Sequence, residues 1–310
     1  MNKEAYPDES REQVSPYTKQ EMLYLSQLLP YSEASEVMER LWLSAPSGCS
    51  FWRLTQTYGK ALEEIEEKNM DIESVEISAD REICYIMADG SMLFTDDGWQ
   101  ECKAGRIFES AACSKEEEIK ESLYVAHLGG HEEFIEKMDD EIAQKSHAKK
   151  VFLSDGAVWL KKWADRSHPE AVQILDYWHA LEHVSEALGC VLGDKTEKLA
   201  ALKVKLLASE IDEVCRELNV LAMPLKDKTI VEKTINYLQK NKYRMDYKSY
   251  REQGLRIGSG AMESTHLFLI HQRMKRTGQR WSDNGCQNLL NLRCAFQSNK
   301  EHLIQQLIAS

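Results

Sequence analysis

Apolar residues recur every three to four positions between residues 18 and 66. That period predicts three helices: TKQEMLYLSQLL, SEASEVMERLW opening at Ser32, and SFWRLTQTYGKALEEIEEK after the Ala45-Pro46-Ser47-Gly48 turn. Two short helices, a turn and a longer third helix fit a helix-turn-helix, and they fit plain three-helix packing equally well. Arg53 and Lys60 are the basic candidates on the third helix. The residues before this block are polar and predict a disordered tail.

From about residue 72 the period shortens to two. IESVEIS, EICYIMAD, SMLFT, ECKAGRIFES and SLYVAHL read as strands, EEFIEKMDDEIAQ as a helix, and KKVFLSDG and VQILD as further strands. Adjacent extended segments, a crossover helix and buried strands ending in Asp describe a mixed α/β sheet. Residues 176–250 are helical in pattern almost throughout, through YWHALEHVSEALGCVL, EKLAALKVKLLASEIDEVCRELNVLA and KTIVEKTINYLQKNK. They interrupt the sheet-forming part of the chain as a helical insertion. A glycine-rich turn then begins the final helix.

Composition narrows the class. No apolar run reaches bilayer-spanning length and the first thirty residues lack an apolar signal core, so a cytoplasmic protein is expected. The eight cysteines are scattered without a C-x-x-C pair, which argues against a zinc ribbon or a disulfide framework. Net charge is −12, but it is unevenly spread. Residues 226–310 hold 15 Lys or Arg against 7 Asp or Glu, while the rest of the chain holds 24 against 44. The C-terminal quarter is therefore cationic, and local charge decides what docks.

Candidate chemistry centres on three carboxylates. Asp89 closes EICYIMADG and Asp155 closes KKVFLSDGAVW, each followed by Gly; an Asp at the end of a buried strand projects into the crevice above the sheet. Glu263 follows the Gly258-Ser259-Gly260 turn, where Ser259 is expected to cap a helix. Three hard oxygen ligands suit Mg²⁺ or Mn²⁺, and a pair of such ions supports in-line displacement at phosphorus. Without metal such a site is expected to be loose or to hold a proton. Arg273, Lys275, Arg276 and Arg280 follow within 18 residues of Glu263, with Trp281 behind them, and read as contacts to DNA phosphates and a base. Trp99, Trp159, Trp163 and Trp178 read as core.

Asp89, WQECKAG at 99–105, LSDGAVWL, the helix DYWHALEHV and GSGAMESTHLFLIHQRMKRTGQRWS with LLNLR together resemble bacterial insertion-sequence transposases of the DDE type, most of all the Kra group. The resemblance spans roughly residues 18–300. It implies an RNase H-like core, a metal-binding catalytic triad of Asp89, Asp155 and Glu263 with two Mg²⁺ or Mn²⁺ ions, DNA ends and target DNA as partners, and a homo-oligomer on DNA. The separation of 108 positions from Asp155 to Glu263 exceeds what an uninterrupted core needs, in agreement with the helical insertion. The expected division is a tail (1–17), a helical module (18–68), the first part of the core (69–184), the insertion (185–250) and a C-terminal part carrying Glu263 and the basic run (251–310).

Three alternatives stand beside the transposase. The same triad serves a metal-dependent nuclease, and an inactive DNA-binding remnant would keep the fold. His179, Glu182 and His183 spell H-x-x-E-H, the spacing of one group of zinc metallopeptidases. The favoured reading of those residues is a polar network behind the acidic site, with Asp176 and Ser259 supporting it.

Overall fold

In the computed structural model, which describes residues 14–68, 83–110, 119, 121–144 and 149–310, the centre is a five-stranded sheet in the order β3-β2-β1-β4-β5. The strands are β1 (Ile83–Thr95), β2 (Gly98–Glu109), β3 (Leu123–Leu128), β4 (Lys149–Ser154) and β5 (Val172–Leu175). The first three form an antiparallel meander, and β1, β4 and β5 run parallel. The expected strand IESVEIS and most of the expected N-terminal tail lie outside the described residues.

One expectation is corrected at β1. EICYIMAD and SMLFT are a single strand, and the Asp89-Gly90 pair lies inside it, opposite Ala104 and Lys103. Gly90 makes no turn; it leaves room for the Glu101 side chain, which a Cβ there would strike, and which reaches Lys103 as an ion pair. The chain turns instead at Asp96 and Asp97, before Gly98 in the left-handed region (φ 102°).

The pleat sorts β1 and β4 into two faces. Cys84, Ile86, Ala88 and Phe152 pack against α4 (His131–Ala143) and α5 (Val158–Ser167) through Phe134, Met138 and Trp163. Tyr85, Met87, Val151 and Leu153 face the other way, toward a larger core that includes α3 (Gly48–Lys68), α6 (Tyr177–Gly189) and α13 (Asp283–Gln297). α5 was not expected from the sequence, although Leu160, Trp163 and Ala164 form its buried stripe.

Three N-terminal helices form where the period places them: α1 (Pro16–Leu28), α2 (Tyr31–Trp42) and α3. They pack on α13 and on α14 (Glu301–Ala309), tying the two ends of the chain together. Gly59 makes the α3–α13 crossing possible, because a Cβ there would lie 2.2 Å from the Asn288 carbonyl oxygen. Asn291 also donates to the Gly59 carbonyl at 3.1 Å. Backbone cannot yield as a side-chain tip does, so Gly59→Ala is expected to destabilise the chain by about 2–3 kcal/mol. A urea titration checks this, and an unchanged midpoint would count against so close a crossing.

The insertion comprises the end of α6 with α7 (Thr196–Leu207), α8 (Ile211–Ala222), α9 (Thr229–Asn241) and α10 (Tyr247–Glu252). The expected long helix through 197–222 is divided at Ser209, whose φ of 64° leaves the helical region. The chain then returns to the sheet through α11 (Gly260–Thr265), a π turn (His266–His271) and α12 (Gln272–Met274). The helix expected to begin at the glycine-rich turn is this kinked segment, which ends at Met274, and α13 and α14 follow it.

Candidate active site at the β1–β4 edge

The parallel pairing of β1 with β4 runs from Ile83↔Lys149 to Met87↔Leu153. Two residues beyond the last pair come Asp89, still within β1, and Asp155, the first residue after β4. Asp89 falls on the face of Tyr85 and Met87, because side chains two apart on a strand share a side. Asp155 directly follows the last residue of its strand, Ser154, whereas Asp89 projects from within one.

Each aspartate finds its own partner. Asp89 Oδ2 lies 3.1 Å from His266 Nε2, and its Oδ1 accepts the Gly90 amide at 2.6 Å. Burial opposes ionisation of Asp89, but those hydrogen bonds together with the positive potential of His266 and His179 outweigh it. The carboxyl is held below its ordinary range. Of the two states expected of the empty site, loose or holding a proton, this shift argues against a proton on Asp89. A depressed carboxyl stabilises the fold above its unfolded value of 3.8 and loses that contribution as pH falls through the lower folded value. Wild type is therefore expected to exceed Asp89→Asn in stability at pH 6, with the gap closing below pH 3.8. Urea midpoints across that window check it, and a gap that widens in acid would contradict it.

Asp155 Oδ1 accepts the Ala157 amide at 2.9 Å. Its carbonyl accepts the Tyr237 hydroxyl at 2.7 Å, so a helix of the insertion, α9, pins the loop after β4. Gly156 sits beneath that ring in the left-handed region (φ 100°), and a Cβ there would lie 2.8 Å from the hydroxyl. Tyr237 also packs on His183, with ring centroids 4.2 Å apart, and His183 meets His179 edge-on at 4.9 Å. Burial and the neighbouring His179 push the His183 imidazole down, so it is neutral at pH 7. Glu182 is exposed, 3.7 Å from His179. The H-x-x-E-H residues thus line the insertion side of the Asp155 loop.

Asp176 holds the far end of the site. One carboxylate oxygen caps α6 by accepting the amides of Trp178 (2.6 Å) and His179 (2.9 Å). The other takes the Ser259 amide at 2.6 Å and the Ser259 hydroxyl. Ser259 stands at the N-cap position of α11 as expected, but its side chain is spent on Asp176 and makes no capping hydrogen bond.

Glu263 is on the first turn of α11, exposed, one turn before His266. Among the described residues no three His, Cys, Asp or Glu side chains come together as a metal-binding group. The donor chemistry, two strand carboxylates and a helix carboxylate, suits a hard divalent cation, but the ligands are not preassembled.

The basic run divides. Arg273 is 1 % exposed, donates to the Ser26 carbonyl at 3.0 Å and lies between the Tyr31 and Trp281 rings. Trp281 is 9 % exposed, and its indole donates to the Met274 carbonyl. These two residues, expected on a DNA-facing surface, instead clamp the N-terminal helices to the C-terminal part. Arg276 is exposed and paired with Glu33 at 2.9 Å, and Arg280 with Asp96 at 2.8 Å. Lys275 is exposed and donates to Ser91 Oγ at 2.7 Å; burial of its ammonium pulls its pKa down. Trp163 is core as expected, whereas Trp99 and Trp178 are 67 % and 53 % exposed.

Beside α11 lies a cleft of about 650 Å³ lined by Met87, Arg106, Trp178, Arg251, Arg256 and Ser264. Arg106 comes from β2 and donates to Ser122, the Ala261 carbonyl and Ser264. Sequence reasoning passed over this arginine, although a cation between Gly105 and Ile107 in a buried strand was a visible anomaly. His266, His271 and Ser91 were missed as well. No protein-family model and no curated protein matches this chain.

Proposed function

We propose that the protein is a metal-dependent DNA strand transferase of the DDE type, built on an RNase H-like core, acting on the ends of a mobile element. The observation that carries this reading is the placement of Asp89 in β1 and of Asp155 directly after the parallel neighbour β4, with the helix that bears Glu263 packed against β1 and β2. The meander-plus-parallel order of the sheet and the late helix crossing its face support the fold assignment. Asp89, Asp155 and Glu263 would hold Mg²⁺ or Mn²⁺, which when bound activates the attacking oxygen and stabilises the leaving one.

The chain's own contributions follow from the geometry. His266 keeps Asp89 ionised, Tyr237 and Gly156 fix the loop carrying Asp155, and Asp176 with Ser259 anchors the turn from which Glu263 projects. The cationic cleft gives a polyanion a seat beside these groups. A homo-oligomer holding two DNA ends belongs to the same proposal, as does a DNA-reading role for the exposed side of α3 with Arg53.

The test is incubation of the purified protein with DNA carrying the element's own termini. Cleavage and joining are expected with Mg²⁺ or Mn²⁺ and not in EDTA. Joining of pre-cleaved ends separates a transferase from a nuclease, and absence of both reactions would sink the proposal.

A further inference from the structure

The π turn arranges a row of basic side chains against β1. An α-helix turns every 3.6 residues, which sends residues five apart to widely different sides. A turn closed from i to i+5 brings residue i+5 back over residue i. His266 and His271 are related in this way, with ring centroids 6.0 Å apart and planes only 24° from parallel. Lys275 follows four residues later, continuing the row.

That row faces two residues of one side of β1. His266 meets Asp89, while His271 Nε2 lies 3.3 Å and Lys275 Nζ 2.7 Å from the hydroxyl of Ser91, two residues further along the strand. The contrast between the two stations is electrostatic. At Asp89 a carboxylate answers the imidazole; at Ser91 an ammonium and an imidazole converge on a neutral hydroxyl. Among the described residues Lys275 has no carboxylate partner, whereas the next two cations, Arg276 and Arg280, are neutralised by Glu33 and Asp96. An ammonium has three donors, and Ser91 takes one.

We infer that Ser91, His271 and Lys275 form an oxyanion site for a DNA phosphodiester, next to the phosphate that the acidic site acts on. An ammonium, a hydroxyl and a ring nitrogen are the donor set that charge-assisted hydrogen bonds to phosphate oxygens use. The spacing follows the strand: Asp89 and Ser91 lie about 7 Å apart along β1 at 3.3–3.4 Å per residue. Successive phosphates of one DNA strand can thus be met by the acidic site and by the Ser91 station. The π turn is what allows a single helix to serve both.

This inference rests on the DNA-handling reading, and its test needs no turnover. Binding of the full chain to a generic DNA duplex is measured by fluorescence anisotropy in EDTA over a series of salt concentrations. Lys275→Gln is expected to weaken binding about 5- to 10-fold and to make the salt dependence shallower by about one phosphate contact. Ser91→Ala should weaken it about 3-fold, and Lys275→Arg should retain most of the affinity, since a cationic donor remains. Lys240→Gln, which removes an exposed charge from α9, is the control and should change affinity less than 2-fold. Lys275 is itself exposed, so its variants keep the fold, which a thermal midpoint confirms.

Equal effects of Lys275→Gln and Lys240→Gln, or an unchanged salt slope, would overturn the assignment. So would loss of stabilisation by inorganic phosphate in Lys275→Gln with DNA affinity intact, since the station would then serve free phosphate. A wild-type protein that neither cleaves nor joins DNA would leave this binding result untouched, so the two readings fail separately.

Discussion

Asp155→Asn is expected to remove metal-dependent DNA cleavage and joining by about 10³-fold or more while leaving the fold in place. The loss amounts to roughly 4 kcal/mol of transition-state stabilisation, the scale expected when a metal ligand loses its charge. The fold survives because the contacts that position this loop do not use the charge. An Asn Oδ1 still accepts the Ala157 amide, and the Tyr237 hydroxyl binds the backbone carbonyl. Stability should therefore shift by no more than about 0.5 kcal/mol. Single-turnover assays on element-end DNA alongside urea titration separate the two effects. A variant that cleaves at the wild-type rate would leave Asp155 without the role assigned to it.

Arg293→Leu is expected to cost about 3–5 kcal/mol of stability. Arg293 is 3 % exposed on α13, and its guanidinium donates to the carbonyls of Leu269 and Phe268 and, at 3.4 Å, to Gln27 Oε1. Those two carbonyls belong to the π turn. Burial and the nearby Arg273 lower its pKa to about 10, so it is still charged at neutral pH and is bound to peptide oxygens. Leucine would leave these buried acceptors unanswered and free the helix to revert to α geometry. The same variant should then lose DNA affinity by displacing His271 from Ser91. Denaturant midpoints measure the first effect, and a loss below about 1 kcal/mol would show that the π turn stands without Arg293.

The elements visible in the sequence are those whose signals are local. The periods of α1 to α3 and of α4, and the apolar runs of β4 and β5, placed those segments within a few residues. The Asp-Gly pair misled at β1 because the same dipeptide that opens a loop after β4 is held straight by pairing with β2. Asp89 and Asp155 were legible as strand carboxylates. Their placement on neighbouring parallel strands was not, because it depends on a pairing between distant segments. Arg273 and Trp281 show the same limit: their surroundings include Ser26 and Tyr31, some 240 residues earlier, and nothing near QRMKRTGQRW tells a buried cation from an exposed one. His266 meets its carboxylate across 177 residues of sequence.

The order in which the chain supplies its parts has a consequence during synthesis. A ribosome delivers β1 and β4, with both aspartates, long before the segment 260–274 that lies across them. The π turn in turn relies on Arg293, close to the C-terminus. A nascent chain therefore carries two of the three proposed acidic groups before the helix that bears the third exists. Premature termination anywhere before α13 yields a protein without a supported third carboxylate. On the proposed function, a centre assembled in this sequence stays inert until translation is nearly finished.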